Sequence, residues 1–442
     1  MFTFLANRRA HDEVWRLAGP MILSNLTIPL LGLVDTAVVG HLNSPHYLGA
    51  VAVGGLIFSF IYWGFGFLRM GTTGLTAQAH GREDGDEIRA IMARALLLAV
   101  VFACVLLVLQ GWIHVIAFAV LEASVAVEAA AAQYFFIRIW SAPASLANYV
   151  LIGWFLGMQN ARGPLYLLLV INITNIVLDL VFVLAWHMDV AGVALASVVA
   201  EYLGMLVGLW LLRRELRGCA GRWRMAAMLA WHKLRELVVV NVNILIRTLC
   251  LIFSFAFFMA QGAKQGDVVL AANAVLMNFQ TFMAYGLDGF AHAAEALVGR
   301  AVGQRNASAF RRAVYTAGLW SLLVAVAFVG VYGVGGVWVI NGLTDIEAVR
   351  QTAYVYLPWL ILAPLLSVWG YLYDGIFIGA TRSVEMRNTM LLSTVVFFLP
   401  AWYVLQPWGN HGLWAALMVF MVARGVTMAV SYGLMRRRGE FL

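Results

Sequence analysis

Charge is what this chain has least of. Charged residues make up 12% of its 442 positions and hydrophobic residues 63%. Soluble domains carry about 25% charge, so a soluble globular fold is excluded and a membrane protein implied. Lysine is almost absent. Lys233 follows His232 and Lys264 follows Ala263, so no Gly-Lys pair exists for a phosphate-binding loop and ATP hydrolysis has no machinery. The three cysteines, Cys104, Cys219 and Cys250, are scattered and supply neither a disulfide framework nor a metal-ligand spacing. The nine histidines are dispersed as well, with no HExxH pair among them. The net charge of +7 is no sign of nucleic acid, because the cations gather at the ends of apolar runs, where the positive-inside rule accounts for them. The first apolar run is too long for a signal-peptide core and no small-residue cleavage site follows it, so it is expected to remain as the first span.

What the chain does have is apolar runs. About 20 apolar residues cross ~30 Å of hydrocarbon, and windows of that length fall at 14–39, 47–79, 91–117, 127–156, 164–186, 190–212, 236–262, 268–299, 312–340, 352–379, 387–406 and 411–435. They predict an all-α integral membrane protein of twelve transmembrane helices. The one long polar connection, Arg213 to Arg235, divides it into two six-helix lobes, 1–212 and 236–442, with 213–235 as a basic linker. Arginines crowd the even-numbered connections and both termini, while the odd-numbered ones hold only Lys264 and Arg350. That alternation predicts cytoplasmic termini and a cytoplasmic linker. The halves also resemble each other. At a shift of 222 residues Leu48 falls on Leu270, Leu75 on Leu297, Gly81 on Gly303 and Gly157 on Gly379. Six helices per repeat give the repeats parallel topology, and transporters built from repeats bind substrate between them.

Candidate functional residues are the polar ones inside the spans. The run from Pro20 to His41 carries one carboxylate, Asp35, and a lone acid at membrane depth costs ~2.5 to 3.5 kcal/mol on insertion scales, which marks it for function. Pro29 has no amide hydrogen for the Asn25 carbonyl, and Pro20 none for that of Arg16, so this helix is expected to bend at one of them. Elsewhere polar residues recur at the three- and four-residue spacing that places them on one helix face. They are Asn172, Asn175 and Asp179 in the fifth span, Ser197 and Glu201 in the sixth, and Arg138, Ser141, Ser145 and Asn148 in the fourth. The eighth carries Asn278, Thr281, Tyr285, Asp288, His292 and Glu295, and the tenth Ser367, Tyr371 and Asp374. Such faces are expected to line an interior, since an unpaired polar group in lipid costs several kcal/mol. Asp35 and Asp179 are candidates to exchange protons near physiological pH. Arg69, Arg138, Arg247 and Arg424 are expected to pair with some of the acids or to sit near cytoplasmic ends.

PMILSNLTIPLLGLVDTAVVGHL at the first span, GLTAQAHG at Gly74, DGFAHAAEALVG at Asp288 and DGIFIGATRSVEMRN at Asp374 together resemble the MATE (multidrug and toxic compound extrusion) family, in its bacterial DinF-like branch, along essentially the whole chain. The resemblance implies a V-shaped bundle of two six-helix lobes in the bacterial inner membrane, a transporter and not an enzyme. It implies export of small organic, often cationic or amphiphilic, compounds in exchange for protons or sodium. By the same resemblance Asp35, Asn175, Asp179 and Ser197 form the proton or cation site, Ser197 standing where relatives often have threonine. The seventh span has no carboxylate after Glu236, only Asn241, Asn243 and Arg247, which argues against a sodium site of the kind other branches place there. Tyr285, Asp288, Glu295 and Asp374 are left as residues of a substrate cavity or a second site, or as arginine partners. Beyond the coupling ion no cofactor is expected, no nucleic acid partner, and a monomer in the bilayer. A sodium-coupled exporter and a flippase for lipid-linked precursors are the alternatives.

Overall fold

Apolar runs of this length have little backbone choice in a bilayer, because every N–H and C=O must pair within the segment. The structure, a computed structural model, describes residues 8–40, 45–120 and 124–441, and the side chains of these except at 29–40, 45 and 120. All secondary structure among the described residues is helical. In chain order the helices are α1 Arg8–Gly40, α2 Pro45–Gly64, α3 Phe67–Gly81, α4 Gly85–Val108, α5 Gln110–Val120, α6 Val125–Arg138, α7 Ala142–Gly157, α8 Arg162–Asp179 and α9 Asp189–Gly218. A short α10, Met225–Met228, leads to α11 Trp231–Ala263, α12 Asp267–Gly303, α13 Ala307–Leu343, α14 Glu347–Gly379, α15 Ser383–Leu392, α16 Leu399–Leu405 and α17 Gly409–Arg438. Six-residue π-helical segments follow α8, at Leu180–Ala185, and α15, at Ser393–Phe398.

Ten stretches among the described residues are long and apolar enough to cross a membrane. One of them, Ser383–Arg438, runs 56 residues, which is ~84 Å at 1.5 Å per residue. It turns at the 3-10 segment Gln406–Trp408, where Gly409 takes a φ of 55°, and so holds two spans. With α1, a 33-residue helix outside that set, the twelve expected spans are all present. The expected spans 47–79 and 91–117 are interrupted, the first between α2 and α3 at Phe65 and Gly66, the second at Leu109 between α4 and α5.

The internal repeat is written into the backbone. Residues 222 apart share unusual conformations: Glu83 and Arg305 have φ of 58° and 52°, Gln159 and Thr381 have 60° and 54°, and His187 and Gly409 have 54° and 55°. A positive φ is uncommon for residues other than glycine, so the two pairs without glycine mark equivalent turns, and His187 and Gly409 match them in φ. Close packing repeats as well. A Cβ on Gly153 would lie 2.3 Å from the Arg69 carbonyl oxygen, and one on Gly375 would lie 2.3 Å from that of Ala291. Each glycine lets two helices approach backbone to backbone, α7 on α3 and α14 on α12.

The chain divides into two compact units, Leu23–Val238 and Met1–Ile22 with Val239–Leu442. The start of α1 belongs with the later unit because its apolar face is buried there, Val14, Leu17, Ala18 and Met21 each being at most 2% exposed. Trp15 packs edge-on against Phe290 and Trp320 at 5.3 and 5.1 Å, and Trp320 donates its indole N–H to His11 Nδ1 at 2.9 Å. The linker itself is shorter than its polarity suggests, since α9 runs on to Gly218 and α11 begins at Trp231.

Candidate functional site

Positions 172, 175 and 179 on α8 are separated by three and four residues, so they present one face. Asn172, Asn175 and Asp179 are all buried, Asp179 completely. Ser197, also buried, comes from the first turns of α9. Oriented so that donors meet acceptors, the Asn175 amide donates to Asp179 Oδ2 at 3.1 Å, and its oxygen accepts from both the Ser197 N–H and hydroxyl, each at 3.1 Å. The reverse orientation, with Nδ2 donating to the Ser197 hydroxyl, would set the amide oxygen against the carboxylate. Arg138, at the end of α6, settles the direction: its guanidinium donates to Ser197 Oγ, which leaves the hydroxyl hydrogen for Asn175. The result is a directed chain of donors from a guanidinium through Ser197 and Asn175 to a carboxylate. Arg138 is itself fixed by donating to the Tyr134 hydroxyl at 3.0 Å and by lying over the Phe58 and Tyr134 rings at 5.4 and 5.7 Å, geometry that attracts a cation to the ring face.

Two features tie this site to its surroundings. Asp179 is the last residue of α8 before the π-helical segment, an irregularity frequent at functional sites. Asn172 donates to Thr27 Oγ1 on α1 at 2.6 Å, and Thr27 donates to the Ser24 carbonyl at 2.7 Å, so α1 is pinned to α8 one face-turn below the site. One turn beyond Ser197, Glu201 accepts from Asn148 Nδ2 at 2.8 Å, and Tyr62 and Ser141 share a hydrogen bond of 2.7 Å.

In the other unit the buried acid Asp374 has two buried arginines. Its Oδ2 accepts from Arg247 and, at 2.9 Å, from Arg424. Arg424 lies over the Tyr371 and Phe420 rings at 5.7 and 5.8 Å. On α12, His292 and Glu295 are buried and Tyr285 and Asp288 half-buried. Asn278 and Thr281, on the same stripe, are exposed. Their side chains are satisfied by α12 itself, Asn278 donating to the Ala274 carbonyl and Thr281 to that of Met277, each at 3.0 Å, a local bond open to short polar side chains in helices.

One family model, MatE, matches the chain twice, over residues 20–181 and 242–404. The chain belongs to the MATE family. The two matched segments begin 222 residues apart, at the shift already seen in the turns. DNA damage-inducible protein F of Escherichia coli strain K12 is 45% identical over 432 residues, covering 97% of this chain and 93% of that protein. Multidrug and toxin extrusion protein 1 of Homo sapiens is 24% identical over 71% of this chain and 54% of its own length. A solved outward-facing conformation of a multidrug resistance MATE family transporter of the MOP superfamily superposes with a TM-score of 0.86 at 19% identity, covering 97% of this chain and 96% of its own. At that identity the likeness establishes the fold. This chain is thus a multi-pass membrane protein of a family of multidrug and toxin efflux transporters.

Within this MATE fold the site residues read from the sequence fall as follows. Asn175, Asp179 and Ser197 come together. Asp35 and Pro29 lie on α1, but their side chains are outside the described residues. Pro20 is half-buried within α1, and the helix runs unbroken through both prolines. Asp374 is the arginine partner among the roles left open for it. Arg138, expected to pair with one of the acids or to sit near a cytoplasmic end, donates to Ser197. Its signal was present as the stripe Arg138, Ser141, Ser145 and Asn148, but spacing does not say which neighbouring helix a stripe faces.

Proposed function

We propose that this chain is a secondary active exporter in the bacterial inner membrane, with both termini cytoplasmic. It moves small organic, often cationic or amphiphilic, compounds outward in exchange for inward protons, as a monomer and without a bound cofactor. The single observation that carries the reading is the donor chain from Arg138 through Ser197 and Asn175 to the fully buried Asp179. An ionised carboxylate is acceptor-only, whereas a protonated one also donates. A proton arriving at Asp179 therefore removes the anion to which the chain leads and weakens its last bond, since charge-assisted hydrogen bonds are roughly twice as strong as neutral ones. Asn175 and Ser197 must then re-pair, and α1, held by Asn172 and Thr27, is the helix next to feel it.

Asp35 stands eight residues beyond Thr27 on α1, about 12 Å at 1.5 Å per residue, and is assigned as the second proton-exchanging acid. Pro20 lies two residues before the point at which α1 passes from one compact unit to the other and is assigned, with Pro29, as a place where α1 bends. The fixed charge of Arg138 beside Ser197 supports protons over sodium, because a bound metal cation would face a guanidinium at hydrogen-bond range of its ligand. One proton entering down a membrane potential of 100 mV contributes ~2.3 kcal/mol before any pH gradient.

The test is efflux of a fluorescent organic cation from proteoliposomes carrying wild type, Asp35→Asn or Asp179→Asn, with and without sodium. Efflux driven by a pH gradient, indifferent to sodium and lost in either variant, supports the reading. Efflux that needs sodium moves the same residues to metal-ion binding, and undiminished proton-driven efflux by both variants overturns the site.

A further inference from the structure

The chain leaving α9 is held far more firmly than a connection between two helices needs. Arg89, 6% exposed, donates to four carbonyl oxygens, those of Gly85, Leu216, Cys219 and Ala220, each at 2.9 Å. The backbone then turns at Gly221, with φ of 120°, where a Cβ would lie 2.5 Å from the Gly85 carbonyl carbon, so only glycine fits. Asp86 completes the arrangement. It accepts the Arg222 backbone N–H at 2.6 Å and pairs with Arg224 Nε at 2.7 Å. The outcome is a fixed shelf at the end of a membrane-spanning helix.

Against this shelf lies a groove of about 500 Å³. Leu212 and Leu216 form its floor, Arg213, Arg217 and Arg222 its sides, and Trp223 its rim. Among the described residues these three guanidiniums form no ion pair and no hydrogen bond. Asp86 is paired with Arg224, and Glu215 accepts from the Asn160 amide at 3.0 Å. Three guanidiniums without an ion-pair partner thus surround an apolar floor. The apolar surface does not stop at the groove. Leu206 and Trp210, 57% and 60% exposed, lie seven residues before Arg213 and Arg217 respectively, on the same helix face, and carry it along α9 into the span.

We infer that this groove binds an anionic phospholipid, its phosphate held by Arg213, Arg217 and Arg222 and its acyl chains laid along Leu206 and Trp210. Guanidinium is the side chain best matched to phosphate, through paired N–H donors. Trp223 is of the type that settles at headgroup level. A free phosphate or a nucleotide would use the arginines but gain nothing from the leucine floor and its continuation. The inference does not depend on the coupling ion or on transport.

The test uses the full chain in neutral detergent, with binding read as the shift of the melting midpoint during titration. Phosphatidylglycerol, phosphatidylcholine and glycerol phosphate are compared on wild type, on the triple variant Arg213→Gln, Arg217→Gln, Arg222→Gln, and on Trp223→Ala. Each juxtamembrane charge contributes roughly fivefold. Phosphatidylglycerol is therefore expected to bind the triple variant ~100-fold more weakly, and each single arginine variant, the fallback should the triple variant not fold, about fivefold more weakly. Equal affinity of wild type and the arginine variants for phosphatidylglycerol overturns the site. So does binding of phosphatidylcholine as tight as phosphatidylglycerol, and glycerol phosphate matching the lipid's midpoint would make it a site for free phosphate.

Discussion

Asp374→Asn leaves Arg247 and Arg424, 5% and 2% exposed, without the carboxylate that accepts from both. Removing one partner of a buried ion pair costs about 3 to 5 kcal/mol, most of it the penalty of the charge left behind. At roughly 2 to 4 °C per kcal/mol for a unit of a few hundred residues, the melting midpoint should fall by about 6 to 20 °C. The stacking of Arg424 on Tyr371 and Phe420 softens this for one guanidinium only. The measurement is thermal unfolding in detergent followed by intrinsic fluorescence, for wild type, Asp374→Asn, Arg424→Met and the double variant. The double variant should be more stable than Asp374→Asn alone, because it buries one unpaired charge fewer. An Asp374→Asn midpoint within about 2 °C of wild type would refute the reasoning and return Asp374 to the substrate-cavity roles.

Arg138→Gln removes the head of the donor chain while Asp179 and Asn175 stay, so cation efflux should drop at least about tenfold and its pH dependence should move, checked by initial rates across pH; an unchanged profile would mean that Arg138 only braces α6. Gly153→Ala and Gly375→Ala meet backbone carbonyls at the same 2.3 Å, so each should lower stability by about 1 to 3 kcal/mol, as overpacking does, and the two should fall by similar amounts in the same melting assay. The Cys219 thiol is pushed up by burial and by Glu215, with Arg89 opposing. Less of it is therefore thiolate at neutral pH, and its alkylation should be slower than that of a free thiol at pH 7.5, rise steeply as pH rises, and slow further in Arg89→Gln.

Helical periodicity made Asn175, Asp179 and Ser197 legible, because three- and four-residue spacing reports a shared face whatever surrounds it. It did not report partners. Arg247 and Arg424 stand 127 and 50 residues from Asp374, and nothing local in the sequence links them. The same gap hid Arg138, whose contact with Ser197 spans 59 residues. Asn278 and Thr281 bond to carbonyls of the preceding turn, as short polar side chains in helices can, so their spacing carries no information about a partner helix. The repeat was visible at Gly81 and Gly303, and its turns then appeared at Glu83 and Arg305. The passage of α1 between the two units was not, because a helix that stays apolar through Ile22 carries no mark of which neighbour each half packs against.

The most direct measurement for the central claim is proton release from the detergent-solubilised protein in weakly buffered solution on addition of tetraphenylphosphonium, for wild type and Asp179→Asn. Binding of the cation should expel protons from wild type and fewer from the variant, with sodium making no difference. Equal release from both proteins, or none from wild type while the cation still binds, would contradict proton exchange at this site.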